Sequence, residues 1–254
     1  MAFNDKTEQT ATHTKMDGGG CGQTKMNLTD KKIKSVYFIE TAYLYLLSCI
    51  VIYYTLLFLS KINLFELSHT IWPLWRLNPY STLPYLIAII LGMVLVPLVW
   101  EKLIRSTDLK EIGFAVPTSF NKEIICGAGL FCVFVVYSYV LLSKWGEFLS
   151  LSPNIILSLS IYWLFAALGE EVLYRGIIQR RLCVLCGEYC GLILASVLFA
   201  FVGHSRAPLI DNLVFRLPFG LVLGYLYLRS HSLLIPVGIH CGFNVLFVIG
   251  SANL

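Results

Sequence analysis

The sequence predicts an all-α fold, a polytopic bundle of transmembrane helices. Three observations carry this. Of 254 residues, 57% are hydrophobic and only 13% charged, about half the charge of a soluble globular domain. Apolar runs near 20 residues, the length that crosses about 30 Å of hydrocarbon, recur along most of the chain. The basic residues between those runs alternate in density, as loops on opposite sides of a membrane do.

Taken in order, residues 1–34 come first, MAFNDKTEQTATHTKMDGGGCGQTKMNLTDKKIK. They are too polar to bury a core and read as a flexible tail. They hold no short apolar core followed by a small-residue cleavage site, so they do not read as a cleaved signal peptide. The stretch from Gly18 to Gly22, with Cys21 inside it, reads as a linker. Residues 35–254 then form the membrane domain. Seven hydrophobic segments are expected there, near 36–60, 80–101, 123–143, 153–175, 190–207, 209–228 and 233–250.

Of the 19 Lys and Arg residues, thirteen fall on the tail's side. They are six in the tail, Lys102, Arg105, Lys110 and Lys122 in the second loop, Arg180 and Arg181 after the fourth segment, and Arg229 before the seventh. Lys61, Arg76, Lys144 and Arg206 fall opposite, while Arg175 and Arg216 lie in or beside apolar runs. The positive-inside rule then places the N-terminus in the cytoplasm. Seven crossings place Leu254 outside. A cell membrane, such as a bacterial inner membrane, is the expected location.

Four of the eight cysteines, Cys49, Cys126, Cys132 and Cys241, sit within apolar runs and read as small hydrophobes. Cys183, Cys186 and Cys190 follow the cytoplasmic arginines on the reducing side. Without a nearby fourth ligand, their spacing reads as membrane-edge packing or S-acylation rather than a metal knuckle.

Ionised side chains inside a membrane segment cost about 2.5–3.5 kcal/mol each, yet three segments carry candidates. The fourth ends in Gly169-Glu-Glu-Val-Leu-Tyr-Arg-Gly176, the fifth in "SVLFAFVGHSR" with His204, and the seventh holds His240 and Asn244. Glu171 and Arg175 are four residues apart, share a helix face and can pair. Glu170 then points about 100° away, and His240 and Asn244 stand one turn apart on one face. Each feature has a purely structural reading: a solvated helix end, a hydrogen-bonded core histidine, a polar tie between helices. For all to be inert, every one of those readings must hold at once.

Chemically, no Ser or Cys stands beside a His with an orienting partner. Cys241, next to His240, points away from it along the helix. A carboxylate and an imidazole can together deprotonate water for attack on a carbonyl. A second His and an Asn amide can donate to the resulting oxyanion. That division of labour fits peptide-bond hydrolysis. Glu170, His204 and His240 could instead hold a divalent metal such as zinc, but the H-E-x-x-H signature is absent, so the metal-free version, with no cofactor, is preferred.

E-E-x-x-x-R at Glu170–Arg175 and H-x-x-x-N at His240–Asn244, in that order, resemble the CAAX prenyl protease 2 and bacteriocin-processing family of intramembrane proteases (CPBP, or Abi). The resemblance covers about 153–250. It departs from the family's F-x-x-x-H, since position 200 is Ala with Phe199 and Phe201 beside it, although His204 stands where a histidine is expected. The resemblance implies that Glu170 and His204 activate water, that His240 and Asn244 stabilise the oxyanion, and that Glu171 and Arg175 position the site. It implies an endopeptidase acting on a membrane-anchored protein or peptide, such as a prenyl-type tail, a bacteriocin precursor or a C-terminal sorting signal. The other expected partner is the lipid bilayer; no nucleic acid is expected.

Two other classes compete. One is a non-catalytic immunity or partner protein, against which the complete Glu, His, His, Asn set counts. The other is a proton-coupled transporter, against which the lack of paired interrupted repeats counts. Arg216, in "NLVFRLPFG", has no role in hydrolysis; it reads as a contact for a substrate carboxylate or as a snorkelling side chain. One geometric tension stands. The run boundaries put Glu170 about 22 Å deep from the outer face at 1.5 Å per residue, yet leave His204 near that face. The fifth helix must therefore start beyond the bilayer edge, tilt, or be too short to span.

Overall fold

The computed structural model describes residues 31–65, 83–116 and 153–251, with seven single positions between 122 and 136. Most of the tail, with Cys21, and most of the expected segment 123–143 lie outside the described residues. Within them the chain is helical, without a strand. The helices are α1 (Lys31–Lys61), α2 (Leu83–Ile104), the single turn α3 (Leu109–Ile112), α4 (153–186), α5 (Glu188–Gly203), α6 (Leu209–Ser230) and α7 (Leu234–Ser251). Lys34–Lys61, Leu83–Ile104, Ile156–Cys186 and Leu209–Ser230 are each long and apolar enough to cross a membrane. The chain is a multi-pass helical membrane protein.

α1 shows why the bundle needs lipid around it. Phe38, Ile39, Leu46, Tyr53, Tyr54 and Phe58 are all exposed, while Leu44 and Leu59 are buried. A helix that is apolar on every side has no water-facing stripe, so its outward residues face hydrocarbon. α1 begins at Lys31, inside the stretch read as tail.

The fourth and fifth segments differ most from expectation. α4 does not stop near 175 but runs past Arg180 and Arg181 to Cys186. Gly187 then turns the chain at φ 90°, a left-handed value that costs glycine nothing. α5 starts at once and ends at Gly203, too short to span. The two arms are therefore equal: Glu170 and His204 each lie seventeen residues from Gly187. Antiparallel helices of equal reach bring their ends level, which removes the depth mismatch. By its length α5 is the short helix that the depth mismatch allowed for.

Small residues let these helices approach. A Cβ on Gly191 of α5 would lie 2.4 Å from the Cys183 backbone nitrogen of α4. On α6, Gly220 and Gly224 form a G-x-x-x-G face of the kind that packs membrane helices closely. Their carbonyls accept from the Arg175 guanidinium at 3.3 Å and the buried Gln179 amide at 2.9 Å. Buried donors in hydrocarbon must find internal partners, and bare helix backbone supplies them here.

A second polar cluster closes one end of the bundle. The buried carboxylate of Glu101 (α2) pairs with Arg180 at 2.7 Å and Arg181 at 2.6 Å (α4), and accepts from the Thr107 hydroxyl at 2.6 Å. Glu40 of α1 pairs with Arg105, and the Arg105 and Arg181 guanidiniums lie over the Tyr37 ring at 4.7 and 5.4 Å. The start of α1, the end of α2 and the end of α4 thus share one end, as the charge count requires. Beyond α3, Gly113 takes φ 110°; its carbonyl accepts from the Leu233 amide at 2.8 Å, and the Ile112 carbonyl accepts from Tyr227 at 3.0 Å. These bonds fasten the α6–α7 turn to the same end.

Gly191→Ala is expected to force α4 and α5 apart, because the clash is with backbone that cannot rotate away. A loss of about 1–3 kcal/mol, read as a lower thermal unfolding midpoint in detergent, should accompany it. An unchanged midpoint would show that the contact is not needed.

Candidate active site

The site forms where α4, α5, α6 and α7 meet beneath α1. Its centre is Glu171, which is fully buried. One carboxylate oxygen, Oε1, accepts from His240 Nδ1 of α7 at 2.7 Å, and the other, Oε2, pairs with Arg175 Nε at 3.2 Å. The expected i,i+4 pair is therefore present, and it has a histidine partner that spacing alone did not indicate. A carboxylate accepts only, so Nδ1 carries a proton and His240 turns Nε2 the other way. There it meets Oε2 of Glu170 at 3.8 Å. That separation exceeds a hydrogen bond and is one that a single bridging atom spans.

Arg175 is clamped on three sides. Besides Glu171 it donates to the Gly220 carbonyl, and its guanidinium lies 4.5 Å over the Phe199 ring. Phe199 is buried and also meets the rings of Tyr174, His204 and His240, at centroid distances of 5.4, 4.8 and 5.9 Å. Phe219 closes the far side of His240 at 5.1 Å. Aromatic edges packed at these distances fix the imidazole planes.

His204 lies just past the end of α5. Its Nδ1 donates to the Phe199 carbonyl at 2.9 Å, five residues back, leaving Nε2 without a hydrogen bond among the described residues. The last turn of α5, Leu198–Gly203, is π-helical, with hydrogen bonds from i to i+5 instead of i+4. This explains the irregular motif. A turn that holds one extra residue puts Phe199, five residues before His204, against the imidazole, where a regular helix would require an aromatic at 200. The polar turns Val172–Gln179 and Asn212–Arg216 are π-helical too, a form that concentrates at functional sites.

His204 lies within electrostatic reach of Glu170, Arg216 and His240, and Glu170 within reach of Arg216 as well as 3.8 Å from His240. Asn244 is half-buried one turn beyond His240 and makes no hydrogen bond among the described residues. Among those residues no three His, Cys, Asp or Glu side chains are grouped as metal ligands, neither Glu170, His204 and His240 nor the three cysteines near 183–190. Cys183 is buried, and Cys186 and Cys190 are exposed.

Three contributors escaped the sequence reading. Tyr174, within the first motif, places its hydroxyl 3.3 Å from that of Tyr45 on α1, and a Cβ on Gly203 would meet it at 2.4 Å. Asn212 is buried and donates to the His204 carbonyl at 3.2 Å. An asparagine between two apolar stretches was a signal available for it; for Tyr45, among several tyrosines of α1, there was none.

Residues 152–246, 95 of the 254, match the family model described as type II CAAX prenyl endopeptidase Rce1-like. The segment contains Glu170, Glu171, Arg175, His204, Arg216, His240 and Asn244. The chain is also similar to an Escherichia coli protein described as an "Uncharacterized 24.3 kDa protein", 34% identical over 93 residues, which are 35% of this chain and 41% of the relative. The match thus spans less than half of that relative's length. No solved structure matches the chain.

Two substitutions separate the roles of the adjacent glutamates. Arg175→Met strands a buried carboxylate and is expected to cost about 3–5 kcal/mol. Glu170→Gln removes no pairing that holds the bundle and should leave the midpoint of thermal unfolding within a few degrees of wild type. Equal losses in both would contradict the division.

Proposed function

We propose, from the Rce1-like domain at residues 152–246, that this chain is an intramembrane endopeptidase cutting a membrane-anchored protein or peptide. The observation that carries the reading is the Glu170 carboxylate, whose buried Oε2 has no hydrogen-bond partner among the described residues and faces His240 Nε2 across 3.8 Å. An unbonded carboxylate oxygen in that position is free to accept from a water. The other buried carboxylates described above, Glu101 and Glu171, stand in ion pairs with arginines at 2.6–3.2 Å instead.

In the mechanism, Glu170 and the unbonded Nε2 of His204 orient a water and remove its proton. The hydroxide adds to the scissile carbonyl carbon. The oxyanion formed accepts from the Asn244 amide and from His240, which in this mechanism acts as the imidazolium, its Nδ1–H held by Glu171 and its Nε2–H given to the oxyanion. Collapse breaks the C–N bond, and the proton held by the Glu170–His204 pair passes to the departing amine. Glu171 and Arg175 do no chemistry; they hold the His240 ring in place. The mechanism asks no metal of these residues. Substrates of the classes named above, a prenyl-type tail, a bacteriocin precursor or a C-terminal sorting signal, fit a site at this depth. The arginine-rich end with the N-terminus lies on the cytoplasmic side, in a cell membrane.

The test uses purified protein and a panel of membrane-anchored peptides, read by product mass. Cleavage by wild type should fall at least about 100-fold, the usual worth of a general base, in Glu170→Ala and in His204→Ala. His240→Ala should lose a similar factor. Cleavage that survives Glu170→Ala removes the mechanism, and activity lost to a chelator and restored by zinc replaces it with a metal-dependent one.

A further inference from the structure

Hydrolysis as proposed leaves one charged side chain of the site without a task. Arg216 stands at the end of the wide first turn of α6, half-buried. Its Nη1 donates to the Asn212 side-chain oxygen at 3.3 Å, and the Asn212 amide in turn holds the His204 carbonyl at 3.2 Å. Two hydrogen bonds therefore fix this guanidinium relative to His204.

The charges around it sort into two sets. Glu171 and Arg175 neutralise each other in contact. Glu170 and Arg216 do not: each lies within the other's field, yet Arg216 forms no ion pair with any carboxylate among the described residues, and Asp211, five residues before it, acts only through space. A cation in this setting costs about 2.5–3.5 kcal/mol. A guanidinium that needed only water would turn outward, as the exposed Arg206 in the neighbouring loop does. Arg216 instead bonds a buried asparagine and uses one of its five N–H donors. The remaining donors form a fork whose geometry matches a carboxylate bidentately.

We infer that Arg216 binds a carboxylate of the substrate, either its C-terminal carboxylate or an acidic side chain near the cut. The inference rests on the reading of the site as a peptidase site. Bound there, the carboxylate settles which peptide bond lies over Glu170, since the distance from Arg216 to Glu170 is set by helices and not by loops. It also supplies the negative charge that Arg216 lacks, while Glu170 stays free for the water.

A peptide cut in the panel is synthesised in three forms: free C-terminal carboxylate, C-terminal amide, and amide with an added Asp or Glu beside the cut. Wild type should prefer a carboxylate form over the plain amide by about ten- to a hundredfold in kcat/KM, the worth of a charge-assisted bond. The form preferred identifies the source of the carboxylate. Arg216→Gln should abolish the preference, chiefly through KM, and Arg216→Lys should restore part of it. No preference in wild type, or an equal one in Arg216→Gln, overturns the inference. Binding supplies a readout free of catalysis. N-acetyl-leucine, but not its amide, should raise the unfolding midpoint of wild type in detergent and leave Arg216→Gln unmoved. If no peptide is cut, the peptidase reading falls, and equal shifts by acid and amide then remove the carboxylate site as well.

Discussion

One buried carboxylate organises this domain. Glu171 joins α4 to α7 through His240 and is neutralised by Arg175, and Arg175 reaches on to the backbone of α6 and the Phe199 ring of α5. Four helices therefore meet on one ion pair. In hydrocarbon nothing else can satisfy these groups, so removing one partner strands the others. The arrangement stabilises less through the pair itself than through the cost of any fold that breaks it. It also leaves His240 with one ring nitrogen fixed and the other aimed at Glu170.

The same physics explains why the two glutamates differ although they are neighbours. Glu171 points into the bundle, bonded by His240 on one oxygen and paired with Arg175 on the other. Glu170, about 100° round the helix, keeps 17% of its side chain exposed and has its Oε2 3.8 Å from His240 Nε2. Adjacent residues on one helix thus hold different conditions, one carboxylate in contact with an arginine and one without an arginine in contact. At the far end, Glu101 is bonded on both oxygens, by Arg180, Arg181 and Thr107. The two polar centres bracket the second half of α4 and hold it in register with α1 and α2.

The glycines of α5 and α6 turn this frame into a close-packed one. Gly191 lets α5 lie against α4, and Gly220 and Gly224 expose carbonyls where side chains would otherwise stand. The π-helical turn at the end of α5 then shifts Phe199 into contact with both histidines. An aromatic one residue out of the family's pattern thereby lands beside His204.

From the sequence alone came the membrane class, since 57% apolar composition and repeated 20-residue runs have no soluble solution, and the charged end shared by the starts and ends of several helices. The pairing of Glu171 with Arg175 was legible too, because i,i+4 spacing on a helix is a local property. What spacing could not supply were relations between helices. The extension of α4 to Cys186 is one, since Arg180 and Arg181 look like a boundary until Glu101, some eighty residues away, is seen to pair with them. The level meeting of Glu170 and His204 is another, set by a turn at Gly187 that no apolar run marks. The bond from Glu171 to His240 spans 69 residues of sequence and exists only because both helices cross at that depth. A local pattern fixes which residues share a face; only packing decides which faces meet.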